Sequence, residues 1–189
     1  MADVCTPMLY FAFLLLLVIA IIYAVTLFNS LILLKNNVRK AWANIDVLLK
    51  QRSDLIPNLV ETVKGYMKYE KGLFEEITLA RTALMQASGA AQTAKASKQL
   101  DSALKTLFAV AENYPQLRAS ENFLHLQKQL SDLENQIANR REFYNDSVNL
   151  YNMGTERFPE LFVAKFLGMK REEYFTAEES AKALPSVEM

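Results

Sequence analysis

Cysteine, histidine, glycine and proline are scarce in this chain, and each scarcity excludes a class of protein. The single cysteine, Cys5, has no partner with which to form an intramolecular disulfide. One histidine and one cysteine supply too few ligands for a transition-metal site, so we predict no metal centre. The five glycines and five prolines form no phosphate-binding loop, and they leave long stretches of sequence free to form helix.

Net charge is lacking as well, because Lys plus Arg and Asp plus Glu each number 21. Without an excess of positive charge, we predict no nucleic-acid partner. No serine or cysteine stands in a known nucleophile motif, and the adjacent acids Glu75 and Glu76 point in different directions on a helix. We therefore predict no catalytic residue, no cofactor and no enzymatic activity.

A long uncharged apolar run lies near the N-terminus. From Met8 to Phe28 every residue except Thr26 is apolar or aromatic, which matches the roughly 20 residues that a helix needs to cross a bilayer. A cleaved signal peptide is disfavoured, because the start is not basic and no small-residue cleavage site follows the run. We predict a membrane-spanning helix with the lipid bilayer as its partner, represented by Met8, Leu15, Ile19 and Phe28.

The distribution of cations predicts the orientation of this helix. Lys35, Arg39 and Lys40 follow the apolar run, whereas the seven residues before it contain no cation. Because cytoplasmic flanks carry the excess of Lys and Arg, we predict that the N-terminus is outside and that the C-terminal domain is cytoplasmic. The expected location is the cell (inner) membrane, with a single crossing.

Beyond the run, apolar residues recur in steps of three, four or seven, which is typical of helices with one buried face. Pro57 predicts a kink or short break over residues 53–57, because its ring and missing N–H oppose a regular helix. Gly89 and Pro115 mark connections, and the long stretch that follows Pro115 ends near Pro159, after which we predict one short amphipathic helix. No run has the alternating pattern of a strand.

These patterns predict an all-α fold: an N-terminal transmembrane helix continues into an elongated antiparallel bundle of about four long helices with coiled-coil-like periodicity. The predicted organisation is a short N-terminal segment at 1–7, the transmembrane helix and its interfacial extension at 8–34, the helical bundle at 35–169, and a polar, flexible tail at 170–189.

Several polar residues stand among the core-like positions of these helices. The candidate buried polar network consists of Asn44, Arg52, Asn58, Asn122, Asn135, Arg141 and Asn145. A buried polar group without a partner costs roughly 1–3 kcal/mol, so such side chains need mutual hydrogen bonds. One interpretation is that they fix the register of the bundle, and the other is that they line a ligand-binding seam.

Three stretches of the sequence resemble the LemA family of bacterial membrane proteins. They are AWANIDVLLKQRSDLIPNLVETVKGYMKYE (Ala41 to Glu70), LFAVAENYPQLRASENFLHLQKQLSDLENQIANRREFYNDSVNLYN (Leu107 to Asn152) and RFPELFVAKFLGM (Arg157 to Met169). The resemblance implies a single-pass membrane protein with a short N-terminal segment outside and an antiparallel helical bundle inside. It implies no catalytic residues. The Met153-Gly154 pair departs from the family pattern and leaves open where the last long helix ends.

Two hypotheses for the function follow. The first is a membrane-anchored scaffold that forms a homo-oligomer and docks other membrane proteins, since the rods are amphipathic and aromatic side chains are abundant. The second is a membrane-linked sensor or signalling module, in which a ligand in the bundle seam shifts the helix next to the membrane.

Overall fold

The computed structural model describes residues 2–67 and 69–176, with side chains described from residue 10 onward. Its helices are α1 (Ala2–Lys64), α2 (Lys71–Gln86), α3 (Ala90–Ala111), α4 (Pro115–Arg118), α5 (Glu121–Glu156) and α6 (Glu160–Phe166). No strand occurs within the described ranges. The predicted all-α fold with four long helices is confirmed, α6 matches the short helix predicted after Pro159, and the short α4 was not predicted.

Helix α1 continues from the apolar run into the bundle and passes Pro57 without interruption. The short break that we predicted as one alternative over residues 53–57 is wrong, and the other alternative, a kink there, stays a prediction. The helix continues because the backbone carbonyl that the missing N–H of Pro57 leaves free accepts a hydrogen bond from another donor. That carbonyl belongs to Ser53, four residues earlier, and it accepts a hydrogen bond of 2.8 Å from Nε of Arg81 on α2. A contact between helices therefore satisfies the group that proline leaves free, and α1 ends only at Lys64.

The chain divides into two compact units. Unit 1 consists of Met1–Lys40 and Asp146–Glu172, and unit 2 consists of Ala41–Asn145 and Glu173–Met189. The domain boundaries drawn from the sequence stay a prediction, and positions 177–189 of the predicted tail lie outside the described residues.

Unit 2 contains a helical core in which α2 packs against α3. Gly89 lies in their connection with a φ of 77°, a backbone conformation that side-chain-bearing residues rarely adopt. Apolar positions at helical spacing are buried on each long helix, as the periodicity predicted. The fully buried side chains of this unit include Ile45, Ile56, Leu59, Val63, Ile77, Leu100, Leu107, Leu117 and Ile137.

In unit 1 the end of α5 packs closely against α1. A Cβ atom added at Gly154 would lie 2.6 Å from Cδ1 of Leu34, so a larger residue there would force the leucine to move. Leu31 and Tyr151 are both fully buried in this unit. The unusual glycine thus permits the close approach, and α5 continues through it to Glu156.

Within the described part of the chain, α1 is the one helix long and apolar enough to cross a membrane by length and composition. Its most apolar window has a mean hydropathy of 2.9, and none of that window is buried against protein. Of the residues chosen to represent the span, Leu15, Ile19 and Phe28 are exposed, and the side chain of Met8 lies outside the described side chains. These properties place the chain in a membrane.

Candidate functional site

A buried arginine in unit 2 joins three helices. Arg52 on α1 is only 4% exposed, and its Nη2 atom lies 2.5 Å from Oδ1 of Asp101 on α3. Its Nη1 atom lies 2.7 Å from Oε2 of Glu134 on α5. An arginine is rarely buried unless it is paired, because removing its charge from water costs several kcal/mol. The two carboxylates therefore account for the position of Arg52.

A second arginine extends this ion cluster along α5. Nη2 of Arg141 donates a hydrogen bond of 2.7 Å to Oγ of Ser97, which is fully buried on α3. Nη1 of Arg141 lies 3.9 Å from Oε1 of Glu134, so Glu134 stands between two cations. We use the name ion cluster for Arg52, Ser97, Asp101, Glu134 and Arg141. It connects α3 and α5 with the bundle part of α1.

The ion cluster borders a cavity of about 350 Å³ in unit 2. Among the described residues, Nε of Arg52, Nε of Arg141 and Oγ of Ser53 are buried without a hydrogen-bond partner. The cavity lining is mixed: Arg52, Asp101, Leu104, Lys105, Phe108, Gln127, Leu130, Ser131, Glu134 and Asn135. Of the three residues with these unsatisfied atoms, Arg52 lines the cavity, so the cavity is suited to water or to a small ligand that carries hydrogen-bond acceptors.

In unit 1, one tyrosine and one asparagine of α5 hold the segment that follows α6. The hydroxyl of Tyr151 donates to the carbonyl of Lys170 at 3.0 Å. The amide of Asn152 makes two bonds to Glu172: Oδ1 accepts from its N–H at 2.9 Å, and Nδ2 donates to its carbonyl at 3.1 Å. Burial raises the pKa of Tyr151 and the Glu172 carboxylate raises it further, whereas the nearby guanidinium of Arg39 lowers it.

The same arrangement recurs in unit 2, seven residues earlier along α5. The hydroxyl of Tyr144 donates to the carbonyl of Glu173 at 2.9 Å. Oδ1 of Asn145 accepts from the N–H of Phe175 at 2.8 Å, and its Nδ2 donates to the Phe175 carbonyl at 3.4 Å. Seven residues are two helical turns, so both Tyr-Asn pairs lie on one face of α5. We call residues 169–176, which these pairs hold, the C-terminal strap.

Aromatic packing adds to the attachment of the strap in unit 2. Phe175 is 6% exposed, and its ring centroid lies 6.1 Å from that of Trp42. Trp42 also packs against Tyr144 at 5.4 Å. The guanidinium carbon of Arg141 lies 4.8 Å from the centre of the Phe175 ring, a cation–π distance. Arg141 therefore belongs to the ion cluster and also contacts Phe175 of the C-terminal strap.

The structure distributes the residues of the predicted polar network over three places. Arg52 and Arg141 meet in the ion cluster, and Asn145 binds the strap. The other four residues of the predicted network are exposed: Asn44, Asn58, Asn122 and Asn135. Asn135 lines the cavity. Of the predicted juxtamembrane cations, Lys35 is half-buried, and Arg39 and Lys40 are exposed.

Sequence reasoning missed Asp101 and Ser97 in the cluster and Tyr144 and Tyr151 at the strap. The repeated Tyr-Asn pair at heptad spacing is the signal that could have identified the last two. Among the residues that the structure describes, no group of three or more His, Cys, Asp or Glu side chains is arranged to hold a metal ion.

Comparison with known proteins gives the family. Residues 41–189 match the LemA family profile. Magnetosome proteins MamQ 1 and MamQ 2 of Paramagnetospirillum magneticum are each 26% identical to the chain over 174 residues, covering 78% of this chain and 64% of the relative. Magnetosome protein MamQ of Magnetospirillum gryphiswaldense is 24% identical with the same coverage. The match thus spans less than two thirds of the relatives' length. Because the family profile covers most of the chain, the protein belongs to the LemA family.

Proposed function

We propose that this protein is a membrane-anchored, non-enzymatic helical scaffold that self-associates and docks other envelope proteins. It crosses the inner membrane once, with its N-terminus outside and its bundle in the cytoplasm. The cations Lys35, Arg39 and Lys40, which follow the apolar run, support this orientation.

The observation that carries the proposal is an exposed leucine on α2 in unit 2, beside a groove whose floor contains buried apolar side chains. Leu79 is 70% exposed there, and it lines an open groove of about 730 Å³. The other residues of the groove are Lys64, Met67, Lys71, Phe74, Glu75 and Thr78. Exposed apolar surface bordered by charged side chains is typical of protein–protein contacts.

The charges on this face of α2 favour a second copy of the chain as the occupant. Lys71 lies at the start of α2, and the exposed Glu75 and Leu79 follow at steps of four residues on the same face. In a two-fold symmetric dimer with antiparallel α2 helices, Lys71 of one copy is placed opposite Glu75 of the other. Leu79 of each copy then packs toward Met67 in the groove of the other copy.

Replacing Leu79 by glutamate tests self-association. We expect the full chain in detergent to be oligomeric by light scattering, and Leu79→Glu to weaken association at least tenfold, about 1.4 kcal/mol, because a charge enters the apolar contact. Leu124→Glu, at a 50% exposed leucine on α5, is the matched control and should remain oligomeric. A strictly monomeric wild-type particle over a wide concentration range would remove this proposal.

The cavity beside the ion cluster favours a second function, that of a membrane-linked sensor. A ligand with hydrogen-bond acceptors in this cavity could satisfy the buried Nε atom of Arg52 and pair with Lys105, which also lines the cavity. Because Arg52 lies on the helix that carries the membrane span, binding there could bias the position of that helix. Thermal melting of the full chain is measured with a panel of small carboxylates and phosphates. A rise in melting temperature that is lost in Lys105→Met, a variant at an exposed lysine that lines the cavity, favours the sensor. An unchanged melting temperature with every compound counts against it.

A further inference from the structure

Three phenylalanines form an exposed stripe at α6. Phe158, Phe162 and Phe166 are 74%, 64% and 91% exposed, and they are four residues apart. The first two rings pack edge to face, with centroids 5.9 Å apart and an interplanar angle of 83°. Residues at this spacing lie on one side of a helix, while Glu160 and Ala164 are buried on the other. We call these three residues the Phe stripe.

The chain that leads to the Phe stripe packs against α1 just after the apolar run. A Cβ atom added at Gly154, near the end of α5, would lie 2.6 Å from Cδ1 of Leu34 and 3.8 Å from Cδ2 of Leu31. Three residues further on, Arg157 donates a hydrogen bond to Glu160, the first residue of α6. The start of α6 therefore follows closely on a contact with the part of α1 that comes directly after Phe28.

The onset of burial on α1 gives the level of the bilayer surface. Residues 10–26 of α1 are all exposed, Leu27 is half-buried, and Leu31 is fully buried. The apolar run ends at Phe28, so protein packing begins where the hydrocarbon is expected to end. Gly154 packs against α1 at Leu34, just beyond this level, and Glu160, the first residue of α6, follows Gly154 by six positions, about 20 Å of extended chain at most.

Cations outnumber acids in the part of unit 1 that contains the Phe stripe, although Arg157 and Arg171 are themselves paired with Glu160 and Glu156. Residues 29–40 and 150–172 of unit 1 contain seven Lys or Arg and three Asp or Glu. Arg157 and Arg171 are 72% and 66% exposed at their side chains, and Lys165 is an exposed residue of α6 itself. Exposed aromatic residues flanked by cations are the combination found in helices that lie in the membrane surface, where anionic lipids attract the cations.

We propose that α6 is an interfacial helix that inserts the Phe stripe into the bilayer surface beside the span, while the neighbouring cations bind anionic lipid headgroups. This second membrane contact lies beyond the scaffold function and does not depend on it. A lipid surface is favoured over a protein occupant because exposed cations accompany the stripe and because the preceding end of α5 packs on α1 at Leu34, just after the apolar run.

Spin labels on the full chain test the depth of the stripe. Cys5→Ser removes the one cysteine, and labels are then attached at Phe162→Cys or Phe166→Cys in vesicles of phosphatidylcholine with or without phosphatidylglycerol. Leu15→Cys in the apolar run and Thr106→Cys, exposed on α3 in unit 2, give the lipid and water references. We expect the stripe labels to collide severalfold more with oxygen than with a water-soluble nickel chelate, as the Leu15 label does, and to move deeper when phosphatidylglycerol is added.

Three results would overturn the proposal. Stripe labels that collide with oxygen and with the nickel chelate in the same ratio as the Thr106 label would show that α6 faces water. Labels shielded from both oxygen and the nickel chelate would assign the stripe to a protein partner, including a second copy. A depth that is independent of phosphatidylglycerol would reject the role of the cations. Because the Phe166 side chain is 91% exposed, its replacement does not disturb packing, and an unchanged circular dichroism spectrum serves as the folding control.

Discussion

Replacing Arg52 by methionine is expected to destabilise the bundle by about 2–4 kcal/mol. Methionine has a similar length, but it leaves Asp101 without the cation and leaves Glu134 with Arg141 alone, 3.9 Å away. The two carboxylates are 22% and 38% exposed, so water solvates them in part. The loss of unfolding free energy is therefore smaller than for a fully buried ion pair. Chemical denaturation of the full chain in detergent, followed by helical circular dichroism, measures this difference in the free energy of unfolding.

Lys50→Met is the matched control for Arg52. Lys50 lies on the same helix and is exposed, so its replacement should change stability by no more than about 0.5 kcal/mol. Adding Asp101→Asn and Glu134→Gln to Arg52→Met removes the unpaired charges and should recover part of the loss. If Arg52→Met unfolds at the same denaturant concentration as Lys50→Met, the ion cluster does not hold the three helices together.

Replacing Asn145 and Asn152 together by alanine is expected to release the C-terminal strap. Each amide makes two hydrogen bonds to the backbone of one strap residue, Phe175 or Glu172. At about 1 kcal/mol per bond, two lost bonds should reduce the protection of the backbone N–H groups of Phe175 and Glu172 against hydrogen exchange by roughly 30-fold or more. Exchange measured by mass spectrometry on peptides that cover the strap tests this, and the protection of α2 and α3 should stay unchanged.

Asn139→Ala controls for the loss of an asparagine from α5. Asn139 is exposed on the same helix, so its replacement should leave the strap protected. Unchanged protection of the strap in the double variant would mean that Phe175, packed against Trp42, holds the segment without the amides.

The elements that the sequence predicted well depend on local chemistry. The prediction of a membrane-spanning helix from Met8 to Phe28 needs no information about tertiary contacts, because the length of the uncharged run matches the thickness of a bilayer. Gly89 and Pro115 mark helix boundaries through their own backbone preferences. Pro57 failed as a predictor of a break because the compensating donor, Arg81, lies 28 residues beyond Ser53 and belongs to another helix.

The candidate site was predicted only in part for a similar reason. Arg52 and Arg141 stood out as charges at core-like positions, and both are in the ion cluster. Their partners Asp101 and Ser97 lie on α3, whose register relative to α5 is set by packing rather than by any local pattern. Asparagines at the edge of an apolar stripe can face either way, and Asn122 proved to be exposed.

Extraction of the full chain from membranes tests most directly the claim that α1 runs from the lipid into the bundle. We expect the chain to stay with the membrane in alkaline carbonate and to dissolve only with detergent, with a helical circular dichroism spectrum. Replacing both Leu15 and Ile19 by arginine, at about 2.5–3.5 kcal/mol each for insertion, should release it from the membrane. The account would be contradicted if the unaltered chain dissolved in carbonate and remained in solution without detergent.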